Sequence, residues 1–226
     1  MRCNFITTGS LLLLISAISP SYAEDNCKND KQCLKFEKLS DFGHDQKIID
    51  RVRPSKEYSK GSRFYIGLAY SVRANEVTST ELRVHYLQQA IKYGDYSAYV
   101  NLYQFYRNKD ASKALRILED YVATKPEDSD AYFLLGENYY EKGQNKLAYQ
   151  MLMESKKYST GHSTGLDFYL FQLSYLRNEF KQAEQFLLSA LAQGRLIESR
   201  KKMLLDPRFK GIQNHSIFKN YFSDSK

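Results

Sequence analysis

One pattern is written twice between Ser97 and Tyr158, and it constrains the fold more than any other feature of the chain. The string AYVNLYQFY (98–106) is answered by AYFLLGENY (131–139), 33 positions later. Each copy is followed by a polar turn and then a second amphipathic run around an alanine, Ala114 in one and Ala148 in the other. A period of this length built from two short helices predicts an all-α solenoid of stacked antiparallel helix pairs. Each pair exposes apolar surface on both sides, so stacking drives folding at about 25 cal/mol per Å² of apolar area removed from water.

The same reading extends over 61–194 as about four degenerate repeats. Residues 63–73 carry apolar side chains at helical spacing, and IGLAY (66–70) aligns with LGENY (135–139). The next helix is expected to open on a capping box, Thr78-x-x-Glu81, and to stop at Gly94. Helices follow over 95–107 and 110–124, then from an N-cap at Asp128 or Ser129. Runs over 146–158, 164–176 and 180–193 complete the series. Tyr132, Leu135, Gly136 and Tyr139 fall on one face, where the glycine lets the second helix of the pair approach. No period-two alternation of useful length occurs, so no sheet is expected.

The chain has 226 residues. Its first 23 read as an export signal: Arg2, an apolar run over 11–15 with Ala17 and Ile18, a break at Pro20, then Ser21-Tyr22-Ala23 before the cut. That run is too short to favour a membrane span, and no later segment approaches the ~18 to 20 apolar residues that a span requires. Export leaves Cys27 and Cys33 as the only cysteines, and an even count in an oxidising compartment predicts a disulfide between them. Residues 24–60 form a polar, lysine-rich segment with helical signals near 32–39 and 46–52, closed by Pro54. Residues 195–226 form a C-terminal capping region.

The formal charge is +7, which in a basic chain raises the question of nucleic acid. Export and the interspersed acids argue against it. The densest basic runs, Arg51, Arg53, Lys56 and Lys60, and Arg195 with Arg200, Lys201 and Lys202, read as solvated surface or as a patch for an acidic protein or anionic headgroups. The four histidines, His44, His85, His162 and His215, lack metal-ligand spacing, and no cofactor is expected. Gly161-His162-Ser163-Thr164-Gly165 fits G-x-S-x-G, with Asp206 and His215 following in hydrolase order. That elbow needs a strand before the serine, and here an amphipathic helix precedes it. A hydrolase using Ser163 is the least favoured alternative.

At these residues the chain resembles the tetratricopeptide-repeat and Sel1-like repeat superfamily. AYFLLGENYYEKGQNKLAYQMLMES is similar to a tetratricopeptide unit, and HYLQQAIKYGDYSAYVNLYQFY (85–106) is closer to Sel1. Three positions depart from the pattern: Arg63 stands where an aromatic is usual, and Tyr103 and Gln172 where a small residue is usual. LDPRFKGI (205–212) and NHSIFKNYF (214–222) resemble the tails that close such arrays, with Asp206 capping a short helix begun by Pro207 and with Phe209, Phe218 and Phe222 covering the last apolar face.

The resemblance implies a concave groove that binds another protein or peptide, lined by Asn101, Gln104, Arg107, Phe133, Glu137, Tyr140, Tyr169, Leu173 and Arg177. Arg107 and Arg177 would meet acidic groups on the partner, and Tyr140 and Tyr169 would supply rigid contact area. The expected function is a non-catalytic envelope adaptor or assembly factor, periplasmic or secreted. The rival is an immunity-type inhibitor of a periplasmic toxin.

Overall fold

The computed structural model describes residues 27, 30–41, 43–160, 164–192 and 203–222. The signal segment 1–23, Ser163 and the basic run at 195–202 lie outside them. All regular structure among the described residues is helical, and the fold is of the all-α helical-repeat class. Contacts divide the chain into two units, 1–102 and 103–226.

Unit 1 contains α1 (Lys31–Asp41), α2 (Asp45–Ile49), α3 (Lys60–Glu76), α4 (Thr80–Lys92) and the first half of α5 (Ser97–Tyr106). α3 pairs with α4, and both α1 and α2 pack on α3. Phe36 and Ile48 are fully buried there, so the polar N-terminal segment supplies core residues to the first pair. Asp30 ties it down. Its carboxylate accepts the backbone N–H groups of Gln32 (2.8 Å) and Cys33 (3.0 Å) and the hydroxyls of Ser62 (3.0 Å) and Ser59. Those donors, Ser59 foremost, hold its pKa below the usual carboxylate range. Cys27 and Cys33 are paired, with Cα atoms 5.3 Å apart, inside the span a disulfide tolerates.

The expected capping box is displaced by one residue. α4 begins at Thr80, and its N-cap is Ser79, whose hydroxyl accepts the Leu82 N–H at 3.2 Å and donates to Glu81 at 2.9 Å. Serine offers the same oxygen as Thr78 would, and the shift keeps Glu81 in the first turn near the positive end of the helix. The aligned glycines do the same job in both units. A Cβ on Gly67 would meet Asp95 Cβ at 3.0 Å, and one on Gly136 would meet Leu152 Cγ at 2.7 Å. Each lets the paired helix approach to backbone contact.

Unit 2 contains the end of α5, then α6 (Ala111–Thr124), α7 (Ser129–Glu141), α8 (Asn145–Tyr158), α9 (Thr164–Leu176), α10 (Phe180–Ala192), two 3-10 turns (Pro207–Phe209, Ile212–Asn214) and α11 (Lys219–Phe222). α7 pairs with α8 and α9 with α10, while α6 against α7 and α8 against α9 join successive pairs. Asp110 and Asp128 cap α6 and α7 through side-chain oxygens. Asn178, at φ 60, turns the chain between α9 and α10, a left-handed position that asparagine tolerates better than most residues.

The C-terminal segment closes the last pair as its aromatic spacing suggests. Asp206 caps the Pro207–Phe209 turn by accepting the Arg208 N–H. Phe218 and Phe222 lie 5.7 and 5.8 Å from Phe171 on α9, and Phe209 lies 5.7 Å from Tyr175. Phe209, Phe218 and Phe222 are all buried. Covering an exposed apolar helix face at the end of a repeat array is what makes such an array soluble. No helix among the described residues is long and apolar enough to cross a membrane.

Candidate functional site

On α7 the residues Phe133, Glu137 and Tyr140 recur at helical spacing and share one face. Tyr169 of α9 joins them. Its ring meets Phe133 edge-on at 5.9 Å and Tyr140 edge-on at 5.1 Å, and its hydroxyl donates to Glu137 at 2.8 Å. Two helix pairs are thus bridged by a continuous aromatic and carboxylate row. Phe133, Glu137 and Tyr169 are partly exposed, whereas Tyr140 is buried. Burial, reinforced by the Glu137 charge, pushes the Tyr169 phenol well above its ordinary range.

Tyr140 is held by two residues that the groove alignment did not include. Its hydroxyl donates to Gln172 Oε1 at 2.6 Å and accepts from the Arg208 guanidinium at 3.0 Å, whose carbon sits 4.6 Å from the ring centre. Arg208 is in turn forked onto Asp206 at 2.9 and 2.6 Å. Burial pushes the Tyr140 phenol up to about 12, with Arg208 opposing. Gln172 Nε2 donates to the Phe168 carbonyl at 3.3 Å, so the buried amide has a partner on each side.

Two of the three departures from the repeat pattern, Tyr103 and Gln172, therefore have a structural use. Gln172 links to Tyr140 across successive pairs, and Tyr103, fully buried, accepts from Asn138 Nδ2 at 3.4 Å in the same way. Large polar-tipped residues at small-residue positions are accommodated by bonding to the neighbouring pair.

Two expected groove residues are corrected. Leu173 is fully buried with Leu170, Phe171 and Ala183 in the unit 2 core. α9 is apolar nearly all round and is covered from several sides, so its positions are not free as those of an inner-face helix would be. Tyr140 belongs to an internal network rather than to an open contact surface.

The remaining positions scatter. Gln104 is exposed, and Arg107 donates to Glu141 at 3.2 Å and to Gln104 at 3.4 Å. Arg177 pairs with Glu179 at 2.8 Å and lies 4.2 Å from the Tyr149 ring of α8, so its charge is engaged locally. Asn101 belongs to unit 1. No group of side chains suited to a metal ion occurs among the described residues. Asp206 and His215 have local partners: His215 lies 4.4 Å from Phe180 and 5.1 Å from Phe218, and no strand occurs among the described residues.

No family model matches the sequence, and no curated protein matches it. Among solved structures, PilF of Pseudomonas aeruginosa is similar at a TM-score of 0.51 and 14% identity, covering 89% of each chain. The likeness is one of fold, an all-α series of stacked helix pairs. MamA of Desulfovibrio magneticus RS-1 matches at a TM-score of 0.47 and 16% identity, over 74% of this chain and 97% of that one.

Proposed function

We propose that this chain is an exported, non-catalytic repeat protein that binds another protein, acting as an envelope adaptor or assembly factor. The observation that carries the reading is the row of Phe133, Glu137 and Tyr169, half-exposed and braced from beneath by Tyr140, Gln172 and Arg208. Rigid aromatic rings whose geometry is set before binding lose little freedom when a partner docks. Gln104 and Arg107 extend the candidate surface along the preceding pair. Export rests on the N-terminal sequence, and a periplasmic or secreted location follows from it.

Affinity capture from periplasmic and culture-supernatant extracts, followed by mass spectrometry, tests this reading. A protein captured by the wild type and lost with Phe133→Ala and with Arg107→Glu supports it. Capture unchanged by both substitutions, in variants with native circular dichroism, overturns the surface assignment.

A further inference from the structure

In unit 1 a cavity of about 340 Å³ is lined by Lys56, Glu57, Tyr58, Arg63, Lys92 and Tyr93. Three separate stretches meet there: the loop before α3, the first turn of α3 and the end of α4. Only Lys56 belongs to the basic run visible in the sequence; Arg63 and Lys92 are brought to it by the pairing of α3 with α4.

The lining sets three cations against one carboxylate. The polar contacts of the cations go to neutral acceptors. Arg63 Nη2 donates to the Lys92 carbonyl at 2.8 Å, and Lys56 Nζ donates to the Gln32 side-chain oxygen. The ammonium groups of Lys56 and Lys92 sit 5.3 and 5.7 Å from the Tyr58 and Tyr93 ring centres. None of the three forms an ion pair among the described residues. A guanidinium has five N–H donors, and the carbonyl that anchors Arg63 leaves others for a ligand.

The aromatic side of the cavity is braced by ring contacts and a hydrogen bond. Tyr58 accepts the Arg53 N–H at 2.7 Å and meets Tyr93 edge-on at 6.2 Å, and Tyr93 stacks on Tyr70 at 5.9 Å. A ligand that satisfies both halves of this lining needs an anionic head and a carbon skeleton to lie on the rings. The volume is in the range of small-ligand sites and suits one or two amino-acid side chains.

We propose that this cavity binds acidic side chains of an extended peptide segment on a partner protein. The surface in unit 2 is poorly suited to that task, because Arg107 and Arg177 are paired with Glu141 and Glu179. The cavity is a second site and does not depend on the α7–α9 row.

Fluorescence anisotropy with fluorescein-labelled hexaglutamate, using protein purified after expression of the full chain, provides the test. Wild type should bind at low salt and ignore hexaglutamine. The double variant Arg63→Glu, Lys92→Glu should weaken hexaglutamate binding at least about tenfold, and Lys56→Gln, at an exposed position where glutamine can still donate a hydrogen bond, should weaken it about threefold. Tyr58→Ala should weaken hexaglutamate binding more than it weakens displacement by tripolyphosphate, because only the peptide uses the ring. Phe133→Ala should leave it unchanged, which separates this site from the one in unit 2. Equal binding by wild type and by the folded charge variants overturns the proposal. So does tighter binding of tripolyphosphate or of phosphatidylserine vesicles than of hexaglutamate, which would make the ligand a phosphate or a lipid surface.

Discussion

Arg208 reaches across 68 residues of sequence to donate to the Tyr140 hydroxyl at 3.0 Å while its guanidinium carbon lies 4.6 Å from the centre of the same ring. One side chain thereby fixes both the tip and the face of the tyrosine that links α7 to α9. The C-terminal segment is therefore more than an apolar lid, since it also completes a polar network beneath the candidate surface. Asp206 holds Arg208 in a two-point fork, and that hydrogen bonding keeps Asp206 below the usual carboxylate range.

Removing the hydroxyl tests that network. Tyr140→Phe keeps the ring but strips Gln172 Oε1 of its donor and Arg208 of an acceptor. A buried amide oxygen left unpaired costs about 1–3 kcal/mol. Urea unfolding should show a lower midpoint at unchanged slope, which reports stability alone. Leu173→Ala should cost more, about 2–5 kcal/mol, because it opens a cavity in the unit 2 core.

Two glycines should respond in opposite ways to alanine. A Cβ on Gly136 meets Leu152 Cγ at 2.7 Å and the Leu152 backbone nitrogen at 3.2 Å, so α8 must move. The overpacking cost of about 1–3 kcal/mol exceeds the roughly 1 kcal/mol of helix propensity that alanine brings. A Cβ on Gly165 meets only the Phe133 ring, at 3.4 Å, and Gly165→Ala should leave thermal stability unchanged or slightly raised.

Alkaline pH should destabilise the fold through its buried tyrosines. Burial raises Tyr140 to about 12, and burial together with nearby glutamates raises Tyr169 and Tyr65 further. An unfolded tyrosine ionises near 10. The stabilisation is full below that value and is lost as pH rises toward the folded values, because the unfolded chain gives up its protons first. The urea midpoint should fall as pH rises from about 10 toward about 12, and absorbance at 295 nm should reveal a late-titrating class that shrinks in Tyr140→Phe. At the acid end the sign reverses for Asp206: its contribution is present above the ordinary carboxylate range and is lost as pH falls through its depressed folded value.

The N-terminal expectations have a direct mass readout. Protein recovered from the periplasm or the medium should have the intact mass of a chain beginning at Glu24, and alkylation without reduction should label neither Cys27 nor Cys33. Reduction should cost no more than about 2 kcal/mol, since the loop it opens is short.

The helix series was legible because its signals are local. Apolar spacing, the aspartates at Asp110 and Asp128 and the turn at Gly94 act within a few residues of themselves, and the observed helices begin and end close to the expected ends. The capping slip from Thr78 to Ser79 is the scale of error that adjacent hydroxyls allow. The candidate surface was less legible. Alignment to an inner-face pattern brought Phe133, Glu137 and Tyr169 together, yet it could not know that α9 is wrapped on several sides and that Leu173 is therefore core.

What the sequence by itself determined is the repeat: paired helices, glycines where pairs close tightly, and an aromatic tail to cover the end. Those features follow from short-range sterics and from an apolar period that any single helix displays. Only the tertiary structure decided which polar groups meet. Tyr140 with Gln172 and Arg208, Tyr103 with Asn138, and Arg63 with Lys92 are separated by 29 to 68 residues. Nothing local encodes such pairs, because a hydrogen bond between distant residues exists only once burial of the apolar faces has fixed how neighbouring helices pack.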